Sequence, residues 1–161
     1  MDNKNNQTLE FNSIFEIIGP RMVGPSSSHT AGAARIGGKA RALFDEQKMG
    51  ILKEMVIYLY GSFSTTYKGH ATDVALIGGV LGLEAHDLQI KDAFELAAAA
   101  GVSIHIKPVE SGEIPVDREK PLGENNPHPN TAKLELVGSN GTLTVTGVSI
   151  GGGSYKIIDV N

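Results

Sequence analysis

The sequence contains no cysteine and no tryptophan. Without thiols the chain can form no disulfide, offers no thiolate nucleophile and cannot by itself ligate an iron–sulfur cluster or a thiolate-held zinc. Basic charge is scarce as well: 14 Lys and Arg stand against 18 Asp and Glu, a formal net charge of −4. Gripping nucleic acid through its phosphates takes clustered cations, so nucleic acid is not the expected partner. No apolar run reaches the roughly 18 residues of a membrane span. The opening MDNKNNQTLEF lacks the basic-then-apolar order of a secretory signal. A cytoplasmic setting without membrane association is therefore expected.

What is present describes an ordinary globular domain. At 161 residues, with 40% apolar and 20% charged positions, the chain can bury roughly two-thirds of its unfolded surface in a single core. Residues 1–11 read as a polar tail and 12–161 as the domain. SIFEIIG predicts a short helix stopped by Gly19-Pro20, and Ser28 or Thr30 to about Lys48 a longer one, its small residues suited to close backbone packing. MVIYLYG, Met55 to Gly61, has no polar alternation and reads as a central strand covered on both faces. The hydroxyl-rich SFSTTYKGHATD reads as a polar loop, VALIGGVLG as a short helix beginning at Thr72 or Asp73, and LQIKDAFELAAAA as a helix capped by Asp87 and ended by Gly101. VSIHIKP, AKLELVG, TLTVTGVSI and SYKIIDV read as strands, with Asn140-Gly141 in a tight hairpin. Early helices and a late run of strands predict α+β, a mainly antiparallel sheet with helices packed on one face; a parallel nucleotide-binding sheet is the weaker option. Between them Val109 to Thr131 forms a long polar connection, longer than a compact domain usually carries without a purpose.

Two polar islands hold most of the residues suited to chemistry. In GPSSSHTAG, Ser26, Ser27, Ser28, His29 and Thr30 stand at a predicted helix start, where unpartnered N–H groups and the helix dipole favour an anion. Taken alone, plain capping by one serine explains the run equally well. In TYKGHATD, Lys68 can neutralise an anion, Gly69 lets a ligand approach the backbone, and His70 brings an imidazole, a group suited to moving a proton. A lone histidine is more often a surface-loop residue, and Asp73 is also a plausible helix cap. NPHPNT places His128 between two prolines with Asn130 beside it, and SIGGGS offers bare backbone amides. His86 and His105 read as structural. A serine hydrolase is disfavoured because no GxSxG elbow is present, and His29, His70 and His128 have no recognised metal-ligand spacing.

The stretches SIFEIIGPRMVGPSSSHTAGAARIG, YGSFSTTYKGHATDVALIGG, HPNTAKLEL and GVSIGGG, taken together, closely resemble the beta chain of bacterial iron–sulfur L-serine dehydratase. The resemblance implies a lyase that converts L-serine to pyruvate and ammonia, inactive alone, with a 4Fe-4S cluster held by cysteines of an alpha component. It implies His70 as general base, with Lys68, Thr72 and Asp73 tuning or orienting it. Ser26, Ser27, Ser28 and His29 would bind the substrate carboxylate with Thr30 and Gly69 beside them, and His128 and Asn130 would close the pocket. Ala71 stands where glycine is commoner in the family, and the segment from Val109 to Asn126 is extended relative to it. The implied fold resembles the allosteric substrate-binding domain of phosphoglycerate dehydrogenase, with the ACT domain that follows it in many relatives absent or truncated. A homodimer is an open option. The rival reading is a non-catalytic amino-acid or anion-sensing regulatory domain.

Overall fold

The computed structural model describes residues 27–110 and 130–161, with side chains from Thr30 onward in the first span. Helix α1 spans Ser27–Glu46, and strand β1, Leu52–Gly61, follows. Helices α2 (Ser62–His70) and α3 (Thr72–Val80), a 3-10 turn (Leu88–Asp92) and helix α4 (Ala93–Ala99) lead to strand β2 (Ser103–Val109). Strands β3 (Asn130–Gly138), β4 (Thr142–Gly151) and β5 (Ser154–Val160) complete one five-stranded sheet, in the order β2-β1-β3-β4-β5. The short helix expected at SIFEIIG, and most of the long connection after Val109, lie outside the described residues.

The expected α+β architecture is observed, with β1 inside the sheet. β1 runs antiparallel to β3, and β3–β4 and β4–β5 are antiparallel as well, but β1 and β2 are parallel. A parallel pair needs a crossover of a dozen or more residues, and α2, α3, the 3-10 turn and α4 supply it. The sheet is therefore mixed rather than assembled from hairpins alone. The single helix expected over LQIKDAFELAAAA is instead a 3-10 turn followed by two turns of α-helix. Asp87 does cap the start, accepting from the Gln89 N–H.

Alternation along the strands sets the core. Met55, Ile57 and Leu59 of β1, Leu134 and Leu136 of β3, and Leu143 and Val145 of β4 are all fully buried on the face that receives the helices. Ala33, Ile36, Ala40 and Phe44 of α1 meet them as one stripe at helical spacing. Each large apolar side chain so buried contributes about 1.5–3 kcal/mol before the entropy of ordering it. The other face of the sheet at β2, β1 and β3 carries half-exposed Glu54, Tyr58, Lys133 and Glu135. Here the ammonium of Lys133 sits 4.3 Å from the centre of the Tyr58 ring.

Small residues allow α1 and α3 to cross at backbone contact. A Cβ on Gly37 would run into the Leu76 carbonyl oxygen, and one on Gly79 into that of Ala34. At the far end the β3–β4 hairpin is tied to the α1–β1 loop: Ser139 N–H donates to Ile51 O at 2.9 Å and Asn140 N–H to Met49 O at 2.9 Å. These ties hold α1 at a fixed angle over β3 and β4.

Candidate functional site

The polar segment after β1 is helical rather than the loop expected from its composition. Its hydroxyls turn inward on their own backbone: Ser64 Oγ donates to Gly61 O at 2.8 Å, and Thr65 and Thr66 Oγ1 to Ser62 O at 3.2 and 2.6 Å. Such back-bonding to the preceding turn satisfies hydroxyls that would otherwise favour irregular structure. Phe63 anchors the helix, being fully buried. α2 thus begins directly after Gly61, whose φ of 57° suits glycine.

His70 ends α2. The next residue, Ala71, adopts φ 56° and ψ 30°, a left-handed conformation that costs a side-chain-bearing residue roughly 1–2 kcal/mol. Its N–H donates to Tyr67 O, closing α2, while its carbonyl accepts from Ala75 N–H and opens α3. One strained residue therefore separates the two helices, directly after His70.

One hydrogen bond joins the two islands, and a second contact seats the first of them on the sheet. Thr30 Oγ1, in the first turns of α1, donates to His70 O at 3.3 Å. Four residues are enough to define the seam: Thr30 faces the end of α2, while a Cβ on Gly32 would collide with Ser149 Oγ, so the start of α1 rests on the end of β4. The sheet register adds Asn130, paired with Gly61 at the mouth of α2, and Thr131, paired with both Tyr60 and Val148. The start of α1, the ends of β1 and β4 and the start of β3 thus share one end of the sheet. Ser27, Ser28 and His29 form the first turn of α1, where helix N–H groups have no intrahelical acceptor. Their side chains, and all of Ser26 and His128, lie outside the described residues.

The remaining candidates differ in exposure. Thr30 is buried and uses its hydroxyl on His70, His70, Asp73 and Asn130 are half-buried, and Lys68 and Gly69 are exposed. Among the described residues no atom lies within 4 Å of the position a Cβ would take at Gly69. Thr72 is fully buried, and among the described residues its hydroxyl oxygen has no hydrogen-bond partner. An unpaired buried hydroxyl costs about 1–3 kcal/mol. Burial raises the Asp73 carboxyl above its ordinary range, opposed by the Val74 and Asp73 N–H groups and by the nearby Lys68 cation. The Val74 N–H is 2.8 Å from Asp73 Oδ1.

Ser149 opens the SIGGGS stretch, whose sequence suggests only bare backbone amides, yet its side chain is fully buried against the start of α1. Its signal was the glycine run beside it, which tells of backbone freedom but not of which helix will press on it. Neither does composition supply a metal site. The chain has no cysteine, and among the described residues no group of three His, Asp or Glu could hold a metal ion. Nor, among them, is any helix long and apolar enough to cross a membrane.

The fold and this seam define a mixed α+β domain in which a hydroxyl-rich helix start meets a helix ending in histidine. Residues 13–157 match the family described as "Serine dehydratase beta chain". The chain is 46% identical over 153 residues to the "Probable L-serine dehydratase, beta chain" of Bacillus subtilis (strain 168), covering 95% of this chain and 62% of that protein. It is 42% identical over 150 residues to the "L-serine dehydratase, beta chain" of Peptoniphilus asaccharolyticus, covering 92% and 60%. An L-serine dehydratase of Escherichia coli (strain K12) is 36% identical over 145 residues, covering 81% of this chain and 30% of that one. The chain belongs to the serine dehydratase beta chain family. It spans about three-fifths of the length of the two beta chains it matches.

Proposed function

We propose that this chain is the beta component of an iron–sulfur L-serine dehydratase, acting with an alpha component to convert L-serine to pyruvate and ammonia. The observation that carries the reading is the hydrogen bond from Thr30 to His70 O at 3.3 Å, which brings the SSSHT turn and the YKGH helix end together across 40 residues of sequence. The reading also takes the fold to be that of the allosteric substrate-binding domain of phosphoglycerate dehydrogenase, supported by the mixed sheet with helices on one face.

The residues of this chain divide the work by chemistry. Ser26, Ser27, Ser28 and His29 receive the substrate carboxylate at the start of α1, where free N–H groups and the positive end of the helix dipole favour an anion. His70 accepts the Cα proton, a task suited to an imidazole at neutral pH. Thr30 positions His70 through the backbone rather than touching the substrate. Lys68, exposed beside Asp73, adds positive charge near the carboxylate, and Gly69 leaves room for the substrate. Thr72 and Asp73 support the base from the first turn of α3. Asn130, with His128, closes the site from the β3 side. A 4Fe-4S cluster does not fit on this chain, which has no thiolate to offer, so it belongs with the alpha component.

The test is to replace His70 with Asn in the complex reconstituted with its cysteine-bearing partner under anaerobic conditions. Pyruvate formation should fall by at least about a hundredfold, the low end of what general-base catalysis contributes, while L-serine still binds. Retained turnover would end the assignment of His70.

A further inference from the structure

Along α1, past Thr30, lies a groove of about 620 Å³ that the seam does not use. Its floor is Ala31, Ala34 and Gly38 of α1 with Gly79 of α3; one wall is the loop 82–86 and the other is Gly152, Gly153 and Tyr155 at the β4–β5 turn. The volume lies within the range of small-molecule sites. The concavity exists because α1 and α3 touch through glycine, leaving the side chains on either hand to stand above them.

Arg35 and Arg41 both line this groove, in a chain of net charge −4. Their circumstances differ. Arg41 Nε is bonded to both carboxylate oxygens of Asp45, at 3.0 and 3.1 Å, so its charge is compensated. Arg35 Nη1 donates at 2.9 Å to the carbonyl of Gly153, a neutral acceptor, and among the described residues it has no carboxylate partner. Glu84, the one acid lining the groove among the described residues, pairs with His86 at 3.3 Å. A cation is thus held at the groove wall by a dipole that fixes its direction without neutralising it.

The turn that holds Arg35 is itself specialised. Gly151, Gly152 and Gly153 all have positive φ, at 112°, 60° and 84°. Their backbone path, closed to residues with side chains at ordinary cost, carries the Gly153 carbonyl to Arg35. The bond occupies one of five guanidinium N–H donors, and a carboxylate taken in two-pronged fashion needs only two more. Leu83, Ala85 and Tyr155 supply the apolar side of the groove for a short carbon chain.

We infer that this groove is a second ligand site, distinct from the seam at His70, which binds a small organic carboxylate through Arg35. The inference stands on the groove and its cation and does not depend on the catalytic reading. It is tested on the full chain labelled with ¹⁵N, titrated with millimolar pyruvate and, separately, with pyruvamide, its neutral counterpart of nearly equal size. Pyruvate should shift the amides of Ala85, Gly153 and Tyr155, and pyruvamide should not. Arg35→Gln should weaken the pyruvate effect about tenfold, as loss of a charge-assisted pair implies, with Arg35→Lys intermediate and His70→Asn without effect on these amides. Equal shifts with pyruvamide, no shifts in the unmodified chain, or shifts that persist in both Arg35 variants would each overturn it. A loss in His70→Asn would instead mean that the carboxylate sits at the seam, and would overturn it equally.

Discussion

Thr30, the fourth residue of α1, reaches across to donate its hydroxyl to the carbonyl of His70, 3.3 Å away. That carbonyl belongs to the last turn of α2, where backbone acceptors have no intrahelical donor. Replacing Thr30 with Val should therefore cost about 1 kcal/mol of stability and lower kcat in the reconstituted complex. Thr30→Ser, which keeps the donor, should restore most of both. Urea midpoints and steady-state kinetics of the two variants check this.

The crossing of α1 and α3 makes two neighbouring glycines respond in opposite senses. A methyl group at Gly79 meets the Ala34 carbonyl and should destabilise by about 1–3 kcal/mol. At Gly38 the nearest atom is Gly79 O at 3.8 Å, an ordinary contact. There Gly38→Ala should stabilise by up to about 1 kcal/mol through helix propensity. Thermal melts of Gly79→Ala and Gly38→Ala should move in opposite directions.

Ala71 offers a test of strain next to the proposed base. Glycine at this position relieves roughly 1–2 kcal/mol of left-handed strain and returns about 0.5–1 kcal/mol as extra freedom of the unfolded chain. Ala71→Gly should thus be more stable by about 0.5–1 kcal/mol. Denaturant unfolding measures it, and a loss of stability would show that the alanine methyl makes a contact worth more than the strain.

Asp73 makes stability depend on pH. Its carboxyl pKa is raised, chiefly by burial, so the folded state holds the proton more tightly than the unfolded one. Stability contributed by this group therefore falls as pH rises from the ordinary carboxylate value to the raised one. Asp73→Asn should be more stable than the unmodified chain at neutral pH, and the advantage should vanish below the ordinary carboxylate range. Paired urea titrations at neutral and acidic pH decide it.

Much of the architecture was legible before any coordinates. The apolar run Met55 to Gly61 announced an inner strand, Asp87 a cap, and the alternation in AKLELVG and TLTVTGVSI a pair of antiparallel strands, because burial on one face leaves a period in the sequence. The polar run SFSTTYKGH misled for a physical reason. Serine and threonine hydroxyls favour loops when they compete with the backbone, and here they bond to the turn before them, which only a folded helix anchored by Phe63 permits. The parallel placement of β2 was equally hidden, since strand direction is set by where the crossover packs.

The candidate site divides in the same way. Residue chemistry made His70 and the serine turn candidates beside the plainer readings of a surface histidine and a helix cap, and the lack of cysteine leaves this chain no thiolate for a cluster, because those are properties of side chains wherever they lie. Which of them meet was decided by packing: glycines that let α1 cross α3, a left-handed Ala71 that turns the end of α2, and a buried Ser149 that seats Gly32. Such contacts join residues 40 or 117 positions apart, and no local pattern in a chain encodes a distance of that kind.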